Sequence, residues 1–488
     1  MLTLLDPDDI DRLRDALDSA DFRPGAVADR FGAVAVSDSQ RGDHRALLTA
    51  TENGSPAATL VRLFRCGTAE PRAAVRDALA PLTLDAALAA GLVRHADDDR
   101  MAAGLGLDWS GDHWVLCDLP AELGGTVTAE HVLGVGGASR SLSQYLLRRP
   151  VATAVDIGTG GGVQALALSE HAGRVTATDV LPRAIRFAAT NAALNGVEWE
   201  LLTGDLLEPV RGRRFDQVVC NPPFIVGPGP AEFTYRDSGR AGDRVCAELA
   251  AGAADLLTPA GTMQFLANWL HVVDEDWRDR VAGWFAGTDV DVWVLQREVA
   301  APLDYVRLWQ RDAGRDHDPR GMATWLDWFD ANRVEAVGFG VVNVRRRTDG
   351  AGVVVCEDFR HQPVVPFHRL VSDWFDAAEL LAGLDTDAVL DRRWRVADGV
   401  RLEQEAGLGE QGWQVERQVL SDPARSGRRE EIEPLLVNLL AGCTGAVDLR
   451  TLVGLLARAH DAPEPLLAAS LATVVTGLVR RGLLVVAD

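Results

Sequence analysis

A rigid polar corner follows an apolar run near the middle of the sequence. Residues 215–220 are strand-like, and Asn221-Pro222-Pro223-Phe224 comes directly after them. The asparagine side chain carries both a donor amide and an acceptor carbonyl. The two prolines cannot continue the strand, because they lack the N–H groups that a strand ladder needs. The pattern therefore predicts hydrogen-bond acceptors whose geometry is fixed before a polar group binds to them.

Glycines alternate in the stretch VDIGTGGGVQALAL. Asp156 is followed by Gly158, Thr159, Gly160 and Gly162, between a strand-like and a helix-like segment. Glycines at such a turn let the backbone bend tightly and let a ligand approach it closely. The spacing is not the GxGxxG of a dinucleotide site. It suits a single nucleoside with an amino-acid tail, and an ordinary strand-to-helix turn is the alternative.

Two acidic residues follow the next two strand-like runs. RVTATD ends at Asp179, about 20 residues after the glycine turn, where a carboxylate can accept hydrogen bonds from both ribose hydroxyls. LLTGDLL places Asp205 after a third run, where it could bind an adenine amine or simply cap a turn. Ligands of open α/β sheets bind at the carboxyl ends of the strands. We therefore predict that Asn221 lies at the same sheet edge as both acids.

Together, VDIGTGGG, TATD, TGD and NPPF resemble the class I S-adenosylmethionine-dependent methyltransferases of the small-domain group. That group includes HemK-type protein-glutamine N5-methyltransferases and methyltransferases of adenine and guanine amino groups. The resemblance covers residues 130–345, and it implies that Asn221, Pro222, Pro223 and Phe224 are catalytic. It also implies S-adenosylmethionine as the cofactor, with these binding residues: Asp156, Gly158, Thr159, Gly160, Gly162, Asp179, Asp205 and Asn221.

The resemblance gives the corner a specific chemistry. In an amide or a nucleobase amine the nitrogen lone pair is delocalised, so the nitrogen is a weak nucleophile. The side-chain carbonyl of Asn221 and the backbone carbonyl of Pro222 would each accept one N–H of the target, which favours a pyramidal nitrogen. Phe224 would stack on the flat face of the target. No general base is required, because the proton can leave after methyl transfer.

Three functions are compatible with these residues. The HemK resemblance and the acidity of the chain favour methylation of a protein glutamine, with a translation factor as the partner. The alternative is an exocyclic amine of adenine or guanine in rRNA, tRNA or DNA, which the winged-helix-like flanking segments favour. The third is a catalytically inactive scaffold that binds S-adenosylmethionine, which the intact corner and Asp179 disfavour.

Other residues give weaker predictions. Phe233, Tyr235 and Arg236 are candidates for the substrate cleft, with surface packing as the alternative. Trp309, Trp325 and Trp328, in an aromatic helical insertion, are either a binding platform or core residues of amphipathic helices. His131 and Arg140 precede the first strand, on the side from which the family closes the cofactor pocket, and no specific role follows for them.

The elements that position these residues are βαβ units. Short apolar runs alternate with helical stretches from residue 150 to 345, which is typical of a parallel sheet. The predicted fold class is α/β, a Rossmann-like class I methyltransferase sheet that is mostly parallel with an antiparallel edge strand. Four domains are predicted: 1–145, α+β, mainly helical and winged-helix-like, with a hairpin near Ser110-Gly111-Asp112; 146–347, the methyltransferase domain; 348–425, a β-rich extension; and 426–488, a winged-helix-like module.

Composition limits the partners. The chain has 488 residues and a net charge of −22, so long-range repulsion opposes its approach to nucleic acid. The six cysteines form no CxxC pair and the histidines show no HxxxH spacing, so neither a metal site nor a disulfide framework is predicted. No apolar run is long enough to span a membrane, and no signal peptide is evident. A cytoplasmic location without a membrane partner is therefore predicted, and the oligomeric state stays open.

Overall fold

The computed structural model describes residues 3–229, 239–312, 318–410 and 412–487. The chain divides into two units, residues 1–288 with 298–346, and residues 289–297 with 347–488. Phe233, Tyr235 and Arg236, the predicted substrate residues, lie outside the described part of the chain. Among the described helices, none is both long and apolar enough to cross a membrane.

The N-terminal part of the first unit is mainly helical. Its elements are α1 (Pro7–Ser19), α2 (Pro24–Phe31), α3 (Ala33–Gln40), α4 (Arg45–Ala50), α5 (Pro56–Arg65), β1 (Glu70–Pro71), α6 (Arg72–Leu79), α7 (Leu84–Ala89), β2 (Val93–His95), β3 (Arg100–Ala103), β4 (Leu105–Ser110) and β5 (His113–Asp118). The strands β1, β3 and β2 form an antiparallel sheet in that order, and β4 pairs with β5. The β4–β5 hairpin turns at Gly111, where the sequence predicted it.

The three-stranded sheet was not predicted, because strands of two to four residues are too short to show a period. Strand β1 lies between α5 and α6 in the chain, and β2 and β3 follow α7. The domain boundaries themselves stay predictions.

The central part of the chain contains the main sheet. Its elements are α8 (Gly137–Tyr145), β6 (Val151–Ile157), α9 (Val163–Ser169), β7 (Ala172–Asp179), α10 (Pro182–Leu194), β8 (Trp199–Thr203), β9 (Phe215–Cys220), α11 (Arg244–Leu256), β10 (Leu257–Val272), α12 (Trp277–Gly283), β11 (Val290–Ala300), α13 (Pro302–Asp312), α14 (Pro319–Ala331) and β12 (Val334–Arg346). Strands of the first unit follow the order β12-β10-β9-β6-β7-β8. All are parallel except β12, which is antiparallel to β10. The predicted α/β class, mostly parallel with an antiparallel strand, is confirmed.

The register of this sheet brings four strand ends together. Ile157, the last residue of β6, pairs with Thr178 on one side and with Cys220 on the other. Asp179 at the end of β7 pairs with Thr203 at the end of β8. The glycine turn, both predicted acids and the Asn221 corner therefore follow neighbouring strands at one edge of the sheet.

Helix α10 shares a hydrophobic core with the N-terminal part. Phe187 and Leu194 of α10 are fully buried in the same cluster as Leu13 and Leu17 of α1. The Arg14 side chain also donates to the backbone oxygen of Leu194 at 2.9 Å. The N-terminal helices are thus packed directly on a helix of the main sheet.

The second unit is mixed. Besides the β11 segment, it contains β13 (Val354–Asp358), α15 (Phe367–Ala382), α16 (Thr386–Leu390), β14 (Arg393–Val396), β15 (Arg401–Gly409), β16 (Gly412–Ser421), β17 (Arg429–Glu431), α17 (Pro434–Gly442), β18 (Thr444–Asp448), α18 (Leu449–Ala459), α19 (Glu464–Arg480) and β19 (Leu484–Val486). β13 pairs in parallel with β11, and two further sheets have the orders β15-β16-β17 and β18-β14-β19. The region is β-rich at 354–431, as predicted, but the sequence analysis overlooked the 16-residue helix α15.

Candidate active site

The backbone conformation of the turn between β6 and α9 explains why glycines occupy alternate positions there. Gly158, Gly160 and Gly162 have φ angles of 70°, 55° and 89°, all in the left-handed region that side chains disfavour. At Gly162 a Cβ atom would also lie 2.6 Å from the ring of Trp199. Three alternate glycines are therefore required by the backbone, and the turn lies open to a ligand.

Asp156 lies behind this turn and not in the cleft. It is 1% exposed, and its Oδ2 accepts hydrogen bonds from the Thr159 hydroxyl at 2.6 Å and from the backbone N–H of Ala165 at 3.0 Å. Burial raises the pKa of its carboxyl to about 7. Asp156 therefore stabilises the glycine turn through these hydrogen bonds. The sequence predicted that it contacts the cofactor, and we assign it this structural role instead.

Replacing Asp156 with asparagine should change how stability depends on pH. Aspartate in the unfolded chain ionises near pH 4, whereas burial raises the folded pKa of Asp156 to about 7. Its contribution to the free energy of unfolding is therefore complete below about pH 4 and is lost as the pH rises to about 7. Between these pH values we expect wild type to lose a few kcal/mol relative to Asp156→Asn, at about 1.4 kcal/mol per pKa unit.

Denaturant unfolding of wild type and Asp156→Asn between pH 4.5 and 8 measures this difference. Asp98→Asn, which replaces an exposed carboxylate in the turn between β2 and β3, is the control and should follow wild type at every pH. Parallel curves for wild type and Asp156→Asn would show that Asp156 has an ordinary pKa.

Asp179 joins the turn to the end of β7. Its Oδ2 accepts the N–H of Gly160 at 2.8 Å, and its Oδ1 accepts the N–H of Leu181 at 2.9 Å. Burial raises the pKa of this carboxyl, while the backbone hydrogen bonds favour its ionised form. Each carboxylate oxygen can accept a second hydrogen bond. Asp179 lines the cleft and can therefore receive two hydroxyl groups of a ligand.

Asn221 follows the last residue of β9 and lines the same cleft with Pro223. Its side-chain Oδ1 is buried and has no hydrogen-bond partner among the residues that the structure describes. A buried acceptor in that state costs about 1–3 kcal/mol, so native structures seldom keep one without use. The atom has the position and the free lone pairs to accept an N–H group of a bound molecule.

The cleft has an empty volume of about 940 Å³, its open mouth included. Of the predicted residues, those that line it are Gly158, Thr159, Gly160, Asp179, Asp205, Asn221 and Pro223. The predicted residues outside its lining are Asp156, Gly162, Pro222 and Phe224. Lining residues that the sequence analysis did not assign are Val132, Leu133, Gly134, Ser139, Gly161, Val163, Gln164, Val180, Leu181, Ala184, Gly204 and Leu206.

Asp205 has a partner that the sequence did not suggest. Its Oδ2 lies 2.9 Å from the guanidinium of Arg240, which also contacts Glu248 at 2.7 Å. The Asp205 side chain is about half exposed, so it keeps acceptor capacity towards the cleft. Binding of an adenine amine at this residue stays a prediction.

The N-terminal part supplies one wall of the cleft. Asp118, at the end of β5, accepts the N–H of Val132 at 2.7 Å and pairs with Arg183 of α10. Its Oδ2 is 3.8 Å from Nδ1 of His131, which lines the cleft and whose pKa is lowered by burial. The segment around His131 is thus held against α10. Arg140 instead donates to the backbone oxygen of Val135 and is not in the lining.

The aromatic insertion packs mainly on itself. Trp309, Trp325 and Trp328 are half-buried around a hydrophobic cluster that contains Tyr305 and Phe329. The rings of Trp309 and Phe224 make a T-shaped contact, with their centroids 6.2 Å apart. This arrangement favours the interpretation of the tryptophans as core residues.

Asn191 connects the cofactor turn with the N-terminal part. Its Nδ2 donates to the backbone oxygens of Gly161 at 2.7 Å and Leu116 at 2.9 Å, and its Oδ1 accepts the N–H of Leu116 at 2.8 Å. One turn later, Asn195 makes the equivalent pair of hydrogen bonds with Trp114 but none with the glycine turn. Only Asn191 contacts Gly161, whereas the second hydrogen bond of Asn195 Nδ2 goes to the backbone oxygen of Asn191 at 2.8 Å.

The variants Asn191→Ala and Asn195→Ala should separate stability from ligand affinity. Both leave buried backbone groups of β5 without partners, so both should lower the melting temperature. Only Asn191→Ala also frees Gly161, and we expect it to raise the Kd of S-adenosylmethionine by about tenfold, equivalent to one hydrogen bond. Scanning calorimetry and titration calorimetry measure the two effects. Equal Kd values for both variants would refute a link between Asn191 and the cofactor turn.

Comparisons with known proteins agree with this geometry. Residues 133–275 match the family model described as methyltransferase small domain, and residues 19–104 and 372–486 match two domains of unknown function. A release factor glutamine methyltransferase from Moorella thermoacetica is 40% identical over 124 residues, which are 23% of this chain and 44% of that protein. A ribosomal RNA small subunit methyltransferase C from Alcanivorax borkumensis is 32% identical over 114 residues, 23% of this chain and 31% of that protein.

Each of these similarities is partial. The chain spans less than half the length of these two relatives. A methyltransferase structure from Pyrococcus furiosus aligns with 44% of this chain and 85% of its own, with 17% identity and a TM-score of 0.28. The family model limits the methyltransferase match to residues 133–275.

A methyltransferase domain of this kind takes S-adenosylmethionine, and the residues of the cleft fit this cofactor. Asp179 offers acceptors for ribose hydroxyls, the glycine turn leaves room for close approach, and the Asn221 acceptor lies at the adjoining strand end. S-adenosylmethionine is therefore the cofactor of this site. Residues 133–275, which contain the glycine turn, Asp179 and Asn221, are the part of the chain that matches the methyltransferase small domain.

Proposed function

We propose that the chain is an S-adenosylmethionine-dependent N-methyltransferase that acts on a planar nitrogen, the side-chain amide of a protein glutamine. The observation that carries this proposal is the buried Oδ1 of Asn221, a residue that lines the cofactor cleft, because this atom lacks a hydrogen-bond partner among the described residues. An acceptor in that position suits an N–H group of the molecule to be methylated.

The corner would act by hydrogen bonding and position. When bound, S-adenosylmethionine supplies an electrophilic methyl group on its sulfonium. Asn221 Oδ1 and the backbone oxygen of Pro222 would each accept one N–H of the target, which favours a pyramidal nitrogen whose lone pair is less delocalised into the neighbouring carbonyl. Phe224, whose ring makes a T-shaped contact with Trp309, would stack on the target. Two prolines keep these groups in place before the target arrives.

Two observations favour a protein substrate. The release factor glutamine methyltransferase from Moorella thermoacetica has the higher identity of the two relatives described above. The net charge of −22 opposes the binding of a polyanion, and Arg183 and Arg240 beside the cleft are already paired with carboxylates. A translation factor as the partner and a cytoplasmic location belong to the same proposal.

The rRNA methyltransferase relative favours a second candidate, the exocyclic amine of a nucleobase. The Asn221 corner presents the same acceptors to a glutamine amide and to a base amine, since both groups are planar nitrogens. An assay that offers both a protein and an RNA acceptor distinguishes the two candidates.

Methyl transfer from tritiated S-adenosylmethionine tests the proposal. The enzyme is offered a purified peptide release factor in one assay and ribosomal subunits in another, with Asn221→Ala as the inactive control. We expect label on the release factor that withstands nuclease, with a mass increase of one methyl group on a glutamine-containing peptide. Label confined to nuclease-sensitive RNA would replace the glutamine proposal by the nucleobase candidate. Cofactor binding without transfer to either acceptor would instead indicate a scaffold.

A further inference from the structure

We propose that the hydroxyl group of Tyr305 is a positioning residue for the catalytic corner, acting through the backbone of Val226. This inference rests on the proposed function, because it concerns the loop that presents Asn221. Tyr305 lies in α13 of the aromatic insertion, where the sequence analysis considered only the tryptophans.

The contact between Tyr305 and the corner is direct. The N–H of Val226 donates to the Tyr305 hydroxyl at 2.8 Å, and Nδ2 of Asn268 in β10 donates to the same oxygen at 2.9 Å. Val226, Tyr305 and Asn268 are all buried, with exposures of 0%, 0% and 2%. The hydroxyl therefore joins the loop after Asn221 to a central strand of the sheet.

The phenol ring is itself held firmly. Four aromatic rings surround it, and their centroids lie 5.4–6.3 Å from its own: Trp309, Trp325, Phe329 and Phe339. Burial also raises the pKa of the phenol, so that the hydroxyl stays neutral. A ring enclosed in this way keeps its oxygen at one position.

The loop of residues 221–226 is therefore fixed at both ends. At its start, Cys220 is paired in the sheet with Ile157 and Phe265. At its far end, the N–H of Val226 meets Tyr305, and the next residue, Gly227, accepts the N–H of Gly242 at 3.0 Å. Between these anchors lie the two prolines, which have little backbone freedom of their own. Loss of the hydrogen bond at Val226 would let the rigid Asn221-Pro222-Pro223-Phe224 corner rotate as a unit.

A small tilt is enough to matter. A displacement of about 1 Å in a positioned group can lower a rate by up to about 100-fold. Tyr305→Phe keeps the ring and its packing but removes the acceptor of Val226, so we expect kcat to fall by about tenfold. The Kd of S-adenosylmethionine should change by less than about twofold, because Tyr305 does not line the cofactor cleft.

The experiment compares Tyr305→Phe with Tyr145→Phe. Tyr145 is a second buried tyrosine, 2% exposed, in α8, so its variant controls for the loss of a buried hydroxyl. Four quantities are measured for the full chain: kcat and KM with the acceptor that wild type methylates, the Kd of the cofactor, and the hydrogen-exchange rate of the Val226 amide. We expect only Tyr305→Phe to lower kcat and to speed exchange at Val226.

The outcomes distinguish the inference from the function on which it rests. If wild type methylates no acceptor, the proposed function fails, and faster exchange at Val226 in Tyr305→Phe still supports the anchor. If wild type is active and Tyr305→Phe matches it in kcat and exchange, the inference is wrong. Should Tyr305→Phe be unfolded at the assay temperature, Asn268→Ala removes the second contact of the hydroxyl without touching the loop. That variant should show the same changes to a smaller extent, and wild-type kcat and exchange in it would overturn the inference.

Discussion

Alanine in place of Asn221 is expected to lower kcat by at least about 100-fold, which is the usual cost of removing one preorganised group that stabilises a transition state. The expected cause is the loss of the buried Oδ1, which has no described partner in the protein and is therefore available to the acceptor nitrogen. The Kd of S-adenosylmethionine should stay within about threefold, because Asp179 and the glycine turn remain. A large effect on kcat with a small effect on Kd is the signature of an interaction made mainly in the transition state.

Single-turnover methyl transfer at saturating cofactor measures the rate, and titration calorimetry measures the Kd. Asn53→Ala, in an exposed turn before α5, is the matched control and should leave both values unchanged. Folding is not expected to suffer in Asn221→Ala, since removing a buried acceptor without a described partner relieves a desolvation cost. Wild-type turnover in Asn221→Ala would show that the Asn221 side chain takes no part in methyl transfer.

The parts of the site that sequence predicts are those fixed by local backbone rules. The spacing of Gly158, Gly160 and Gly162 reflects three left-handed φ angles within five residues. The carboxyl ends of parallel strands meet at one edge, so the position of Asp179 and Asn221 follows from the alternation of strands and helices. Both kinds of information lie within short windows of the chain.

The parts that sequence does not predict depend on contacts between distant segments. Asn191 reaches Leu116 and Gly161, which lie 75 and 30 residues away in the chain. Tyr305 reaches Val226 across 79 residues. Neither residue stands in a motif, because a single side-chain amide or phenol has no characteristic spacing. Helix α15 is a different case, since its buried residues follow a helical period that the β-like segments around it obscured.

Alanine in place of Asp179 is expected to raise the Kd of S-adenosylmethionine by at least about 100-fold. The carboxylate is the only group at this strand end that is proposed to accept both ribose hydroxyls, and hydrogen bonds to a charged group contribute about 1.5–3 kcal/mol each. The variant also leaves the N–H groups of Gly160 and Leu181 without their acceptor, which loosens the turn on which the cofactor lies. Loss of the hydrogen bonds to the ribose hydroxyls alone would raise the Kd by about 100-fold.

Asp216→Ala is the matched control for this prediction. Asp216 lies near the amino end of β9, where its Oδ2 accepts the N–H of Thr153 at 2.9 Å and its Oδ1 accepts the hydroxyl of Thr258 at 2.8 Å. It therefore anchors neighbouring segments at the opposite end of the strands, as Asp179 does at the cleft. Both variants should lower the melting temperature, but titration calorimetry should show weakened cofactor binding for Asp179→Ala alone. Both carboxylates accept hydrogen bonds that stabilise the ends of strands. An equal loss of cofactor affinity in the two variants would therefore mean that Asp179 acts only by stabilising the sheet. Unchanged affinity in both variants would show that Asp179 does not bind the cofactor.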